Sequence, residues 1–395
     1  MKKTVWLILS LLLLFGIEIL RVYFIMPFPG SQQGNSLGLA YFLNRHMGLL
    51  RLTCILLVSI PFVQYFKKSR IAGKLLLTGT LILYILIFYF FNFRFQADKM
   101  FYQLRHKVLL TINANKVDTQ NLIIGISLNG HAKAYPIQII GYHHQVIDTI
   151  GGVPIMVTYC TVCRSGRIFS PLINGHPGNF RLVGMDHFNA MFEDSATKSW
   201  WQQETGVAIA GPLKGYSLKE LHSRQMRLGS WLREYPHSLI LQPDTDFKSE
   251  YADLKGYDQG IIKGSLEKKD SSSWNRKSWV IGLIGKNQSK TYDWNTLVHD
   301  RVINDRVGNE PVVLYLEKDG ISFHAWQSRV RQLDLIFTVD TVTGNMIDTN
   351  THSVWNPDGY CSRGSLSGFT LVPVRAYQEF WHSWKYFHPE ARVYQ

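Results

Sequence analysis

Two cysteines, Cys160 and Cys163, stand two residues apart in the segment TYCTVCRSG (158–166). They follow the β-branched run VPIMVTY, and a strand end delivers both sulfurs to one point. Thiolates combined with imidazole suit zinc or copper. Nearby imidazoles are His143 and His144 in YHHQVID and His187 in GMDHFNAMF. His143 is the preferred third ligand, and His144 or His187 the fourth; Met185 and Met191 are softer donors that would suit copper. The second chemistry open to C-x-x-C is thiol–disulfide exchange. There the first cysteine opens a helix whose N-terminus lowers its pKa. Here RSGRIFSP follows, with Ser, Gly, Ile and then Pro171, which is poor helix, although Arg164 would stabilise a thiolate. A metal site is therefore read ahead of a redox pair, and a plain structural pair is the third reading. Cys54 lies in an apolar run and Cys361 in an apolar place, as buried structural thiols do.

Short β-branched runs, NLIIGISL, AKAYPI, VPIMVTY and NFRLVGM, separated by Gly, Pro and Asn, must position these side chains. They predict strands. A helix is predicted near 217–235, where Ser217-x-x-Glu220 forms a capping box ahead of LKELHSRQMRLGSWLREY and Pro236 stops it.

The same pattern recurs. At an offset of 157, Ile124, Gly125, Lys133, Tyr135, Asp148, Gly151 and Pro154 fall on Ile281, Gly282, Lys290, Tyr292, Asp305, Gly308 and Pro311. At 154, Asp194, Thr197, Ser199 and Trp201 fall on Asp348, Thr351, Ser353 and Trp355. At 153, Gly211–Gly215 falls on Gly364–Gly368, Ser230-Trp231 on Ser383-Trp384 and Pro236 on Pro389. Order and spacing are kept over about 120 residues, the signature of a duplicated unit. The expected fold class is α+β: a three-helix transmembrane region followed by a soluble, β-rich pseudo-dimer of two internal repeats. The expected domains are 1–94, the membrane region; 95–241, the first repeat; 242–273, a linker; and 274–395, the second repeat. Residues kept in both copies read as scaffold. Asp194 and Asp348 read as turn or cap residues, and the shared G-x-L-x-G as turn chemistry. Asp300 and Arg301 replace the two histidines in the second copy, and Glu317 and Gly320 the two cysteines, so the chemistry is expected in the first copy.

Three apolar runs, about 5–26, 47–66 and 75–93, each have the length a bilayer core requires. Lys2 and Lys3 precede the first, and Lys67, Lys68, Arg70 and Lys74 separate the second from the third. The positive-inside bias then places the chain after Phe93 outside the cytoplasm. Glu18 and Arg21, three apart in the first span, are expected to pair along one helix face. The formal charge of +13 belongs partly to these flanks. There is no basic tract in the soluble part, so nucleic-acid binding has no support, and weak attraction to anionic lipid is the milder consequence. No Ser-His-Asp motif stands out.

Ala134–Pro136, Tyr142-His143, D-T-x-G-G-x-P at Asp148–Pro154, T-Y-C-x-x-C at Thr158–Cys163, A-G-P-L-x-G at Ala210–Gly215 and the Trp-containing helix together resemble a bacterial domain-of-unknown-function family, number 3179. The resemblance covers nearly all of 117–395. The family pattern has one histidine, at the place of His143, with an acidic residue at His144 and Tyr-Asn-Ser at Asp186-His187-Phe188. It supports Cys160, Cys163 and His143 ahead of His144 and His187, and it implies no activity. The chain is thus expected to be a protein of the bacterial inner membrane with its C-terminal domain outside the cytoplasm, binding zinc or copper. A thiol oxidoreductase and a non-enzymatic binding module are the alternatives. The lipid bilayer is the one partner implied, and a protein partner or small ligand is left open.

Overall fold

The computed structural model describes residues 2–262 and 264–395. The chain divides into two compact units. The first comprises residues 1–102, 178–202 and 207–217, and the second 103–177, 203–206 and 218–395.

In the first unit, three helices are long and apolar enough to cross a membrane: α1 (Lys2–Tyr23), α2 (Leu37–Lys68) and α3 (Ile71–Phe93). Leu7, Leu14, Ile17, Leu43, Met47, Cys54, Val58 and Leu77 pack between them. Leu12, Leu49, Ile60, Leu75 and Leu76 point outward, an apolar surface that suits lipid rather than water. Glu18 is fully buried, and its partner is not Arg21. It takes Arg51 of α2 through both oxygens, at 2.6 and 3.0 Å, with Asn92 of α3 at 3.1 Å and Tyr84 at 3.3 Å. Arg21 turns instead to Asn92 Oδ1 and the Phe91 carbonyl. A charge buried between helices gains more from a bidentate guanidinium on a neighbouring helix than from an i,i+3 pair on its own. The unit also holds an antiparallel sheet, in the order Ala208–Ala210, Trp200–Gln202, Asn189–Asp194, Phe180–Asp186. This sheet is fastened to the helices: the Met185 amide donates to the Ile25 carbonyl at 2.8 Å, and Tyr41 of α2 stands edge-on to Trp200.

The second unit is built of sheets. One five-stranded sheet runs Leu109–Leu110, Leu239–Leu241, His131–Pro136, Leu122–Leu128, Arg224–Arg227. A four-stranded sheet runs Glu220–Leu221, Ser165–Phe169, Val153–Cys160, Gln145–Ile150. Further along the chain come Arg375–Phe380, Trp279–Ile284, Ser289–Asp293, Arg392–Val393, and then Val302–Val307, Glu310–Leu316, Phe323–Gln327, Val372–Pro373. A last sheet orders Phe337–Val339, Met346–Asp348, Val354–Trp355 and Cys361–Arg363. Most pairings are antiparallel, but Leu239–Leu241 runs parallel to His131–Pro136 and Arg392–Val393 parallel to Ser289–Asp293, each reached across a short helix, so helix and sheet are mixed as in the α+β class.

The reasons lie in particular residues. Trp231 lies against Gly125, where a Cβ would stand 2.6 Å from the indole, and Trp384 crowds Gly282 more closely still. Each glycine thus leaves its strand flat enough for the helix behind it. Asp194 and Asp348 are turn residues as read: each takes a threonine amide and hydroxyl three residues on and the indole N–H of Trp201 or Trp355. The long helix expected from Ser217 is absent. Glu220–Leu221 and Arg224–Arg227 are strands, and only Leu228–Glu234 is helical. Arg224–Arg227 pairs with Leu122–Gly125, so ladder hydrogen bonds and the burial of Met226 override helix propensity.

Candidate functional site

Val153–Cys160 pairs with Ser165–Phe169, Cys160 standing opposite Ser165. Residues 161–164 make the reversal, and Arg164 adopts φ 57 within it. The chain after Cys163 enters a strand rather than a helix, as RSGRIFSP implied. Both thiols are buried, and each is in hydrogen-bond contact with the other. Burial, followed by the adjacent Cys160, pushes the Cys163 thiol well above its ordinary range.

His143 ends the helix Ile137–His143, which Pro136 opens. His144 takes the left-handed conformation at φ 58 and donates its amide to the Ile140 carbonyl, stopping the helix. Asp300 and Arg301 end the helix Trp294–Asp300 in the same way, with Arg301 at φ 66. The His143 ring is flanked by Tyr142, Phe247 and Tyr251, and its Nε2 lies 2.7 Å from the Tyr251 hydroxyl. His144 Nδ1 lies 2.9 Å from the carbonyl of Tyr159, the residue before Cys160. Burial lowers the His144 pKa to about 4, so its imidazole is neutral at physiological pH. Cys160, Cys163, His143 and His144 all belong to the second unit. His187, Met185 and Met191 belong to the sheet of the first, where His187 Nδ1 is 2.9 Å from Asp186 Oδ1.

The surroundings of the cysteine turn come largely from residues that sequence patterns did not single out. The Lys277 ammonium donates to the carbonyl of Val162, between the two cysteines, at 2.6 Å. Its Nζ is 3.1 Å from His382 Nε2, and it lies over the Phe380 ring. Burial lowers the Lys277 pKa to about 8, against the two thiols, which act to raise it. Burial, then Lys277, takes His382 down to about 3. The Phe380 amide donates to the Cys163 carbonyl at 2.9 Å. The Ser383 hydroxyl is in hydrogen-bond contact with the Cys163 sulfur and 3.2 Å from Glu379 Oε2. Tyr257, from the segment read as linker, donates its hydroxyl to the Thr161 carbonyl at 2.9 Å.

Behind Ser383 lies a buried charge cluster. Both Glu204 and Glu379 accept from the same Arg167 nitrogen. The carboxyl groups also bond each other. Burial acts to raise Glu204, but Arg167 overrides it and holds the group at about 2. Burial and the neighbouring Glu204 push Glu379 well above the carboxylate range. One proton is thus shared by two acids, which like charges in one pocket require.

At the corresponding turn of the other half, Glu317 Oε1 is 2.8 Å from His324 Nε2, while Oε2 accepts from Ser230 at 3.0 Å and Arg233 at 2.7 Å. Ser230 and Ser383, which fall on each other at an offset of 153, each reach a reversal far away in the chain, that of Glu317 and that of Cys163. That match was the one signal in the sequence that pointed to Ser383; nothing comparable marked Lys277.

Among the described residues, the three side chains whose ligand atoms come close enough for one ion are His106, Asp244 and Asp246; Cys160, Cys163 and His143 are not brought together in this way. Asp244 Oδ2 already accepts the amides of Arg105 and His106, at 2.9 and 2.8 Å, and its Oδ1 accepts that of Asp246. Arg105 pairs with Asp246 at 3.0 Å. The group reads as the cap of the turn Thr245–Phe247, with a cation already beside it.

A chain with three apolar helices, a β-rich α+β region and a buried C-x-x-C turn defines the class. The family model DUF3179, a protein family of unknown function, matches residues 107–391, and the chain belongs to this family. No curated protein and no solved structure matches the chain.

Proposed function

We propose that the chain is a membrane-anchored, extracytoplasmic protein that binds one transition-metal ion, zinc or copper, through Cys160, Cys163 and His143. The observation that carries this reading is the buried reversal 160–165, which holds two thiols in mutual contact with strand, not helix, on both sides. A pair of thiols in this setting converges on a soft ion. His143 is the third ligand expected from the sequence; its ring orientation is fixed by the hydrogen bond between Nε2 and Tyr251. His144 is directed to the Tyr159 carbonyl and serves as a helix stop. The charge bias of the flanking loops supports an extracytoplasmic C-terminal region in the bacterial inner membrane.

We infer also that residues 95–241 and 274–395 are copies packed as a pseudo-dimer, with 242–273 joining them. Three sheet orders of the first half recur in the second, save for the extra edge strand Leu109–Leu110 in the first. Gln225 and Gln378, matching residues at an offset of 153, bond each other at 3.0 Å, as residues on a two-fold axis do.

A thiol oxidoreductase is the second reading, favoured by the Lys277 ammonium at the cysteine turn, since a neighbouring cation promotes thiolate. One experiment separates the two. Metal content and thiol count are measured on the detergent-purified full chain and on its C160S/C163S variant. One equivalent of zinc or copper in the parent and none in the variant is expected. A metal-free parent whose two thiols oxidise reversibly would refute the metal reading and favour the redox one.

A further inference from the structure

We propose that the membrane region holds an anionic phospholipid of the leaflet on the side of Lys67 and Lys68, its acyl chain lying in a groove between α1 and α2. The inference rests on the reading of α1, α2 and α3 as membrane spans and is independent of the cysteine turn. The groove has a volume of about 650 Å³ and is lined by Trp6 of α1 and by Thr53, Leu57, Ile60, Pro61 and Gln64 of α2. The α2 residues recur every three or four positions, so they form one stripe along the helix. From Thr53 to Gln64 the stripe is roughly 16 Å long, at about 1.5 Å per residue. That is about half of a hydrocarbon core roughly 30 Å thick, the depth of one leaflet. Pro61 lies inside α2 and has no amide hydrogen for the Leu57 carbonyl, which notches the helix at the groove. The Thr4 and Tyr65 hydroxyls bond each other and tie α1 to α2 at the Gln64 end.

Charge selects the headgroup. Continued by one turn, the stripe reaches Lys67 and Lys68, three and four residues past Gln64. Both are exposed, as are Arg70 and Lys74. Lys74 Nζ lies 5.8 Å from the centre of the Phe66 ring, so the start of α3 brings its cation to the same end. Residues 1–97 contain one carboxylate side chain, Glu18, and Arg51 holds it through both oxygens. The three helices therefore offer no acid to match the cations at the lysine end. Four cations immediately beyond a span attract acidic lipid, each adding to the affinity. Trp6 is 66% exposed and stands two residues from Thr4, at the level where indole rings favour the boundary of chain and headgroup. A zwitterionic lipid would fill the groove with its chain and leave the cations to water, whereas an anionic one satisfies both.

The test is native mass spectrometry of the detergent-purified full chain, titrated with dioleoylphosphatidylglycerol or with dioleoylphosphatidylcholine, which share their chains and differ in charge. The parent is expected to bind one phosphatidylglycerol roughly tenfold or more tightly than phosphatidylcholine. Lys67→Gln/Lys68→Gln should lower that preference roughly tenfold or more, at about fivefold for each lysine. Arg45→Gln/Arg94→Gln removes as much charge from exposed positions at the opposite end of α2 and α3 and should leave the preference intact. Leu57→Trp fills the groove and should weaken both lipids alike, with Ile60→Trp as the second filled variant. Thermal unfolding shows that each variant is folded. The inference is overturned by a parent without preference, by a preference that survives the loss of both lysines, or by one that Arg45→Gln/Arg94→Gln removes as well. Unaltered binding in both filled variants overturns it too. A chain that stays in solution without detergent would overturn the membrane reading beneath it.

Discussion

Removing one carboxylate from the cluster around Arg167 should cost little, and removing both should cost much more than twice as much. Arg167 is 1% exposed and Glu204 and Glu379 are fully buried. Three ionised groups there would carry a net charge of −1, but the shared proton makes them neutral. Glu379→Gln replaces a carboxyl that already holds the proton, so Arg167 keeps Glu204. Glu204→Gln frees Glu379 to ionise in its place, because the repulsion that raised it is gone. Each single variant should cost about 1 kcal/mol or less. In the double variant Arg167 has only Glu220, at 3.6 Å and partly committed to Arg375 and Tyr377. Stranding a buried cation in this way costs about 3 kcal/mol or more. The coupling is therefore at least about 1 kcal/mol, within the range for residues in one network. Glu204, depressed to about 2, contributes stability that is present above its unfolded value, near 4.5, and lost as pH falls toward 2. Glu379 has the opposite sign: stability falls as pH rises from that unfolded value through its raised one. Urea denaturation of the detergent-solubilised chain, followed by tryptophan fluorescence, measures all four proteins. Two expensive single variants whose costs add would refute the shared proton.

Two further outcomes are expected. Gly125→Ala places a methyl into the Trp231 ring and should cost about 2 kcal/mol or more, whereas Gly229→Ala, whose Cβ meets nothing nearer than 3.4 Å, should stabilise its helix by up to about 1 kcal/mol; thermal unfolding distinguishes them. Glu18→Gln strands Arg51 among the membrane helices and should cost about 3 kcal/mol, while the Glu18→Gln/Arg51→Gln pair should cost less than Glu18→Gln alone, read as aggregation temperature in detergent.

Strands were legible where alternation was backed by turn residues: NLIIGISL and VPIMVTY lie in the strands Leu122–Leu128 and Val153–Cys160. Segment 217–235 misled because its charges and leucines keep helical spacing, while strand pairing is a long-range property that no local window carries. The stretch at an offset of 153, VPVRAYQEF, has Pro373 and clustered aromatics and forms the strand Arg375–Phe380. Glu18 misled for a related reason, since an i,i+3 neighbour is visible in sequence and a guanidinium on another helix is not. The cysteine turn itself was legible from its spacing. Lys277, Ser383 and Tyr257 were not, because they reach it from segments more than ninety residues away in the chain.

The two halves show what a cross-copy contact contributes. If they are duplicates, Ser383 touching Cys163 and Ser230 touching Glu317 are one contact made twice. In each turn a group that can be anionic sits beneath a serine from the opposite copy, and in each a cation stands by it, Lys277 for the thiols and Arg233 for Glu317. The Glu317 turn satisfies itself: carboxylate, guanidinium, hydroxyl and imidazole close on one another. At the cysteine turn the two thiols contact each other, Ser383 reaches Cys163, and Lys277 donates to the Val162 carbonyl. One scaffold thus carries a carboxylate network at one turn and two soft donors with a cation beside them at the other, so the chemistry of each turn is set by the residues it carries and not by the strands that hold it.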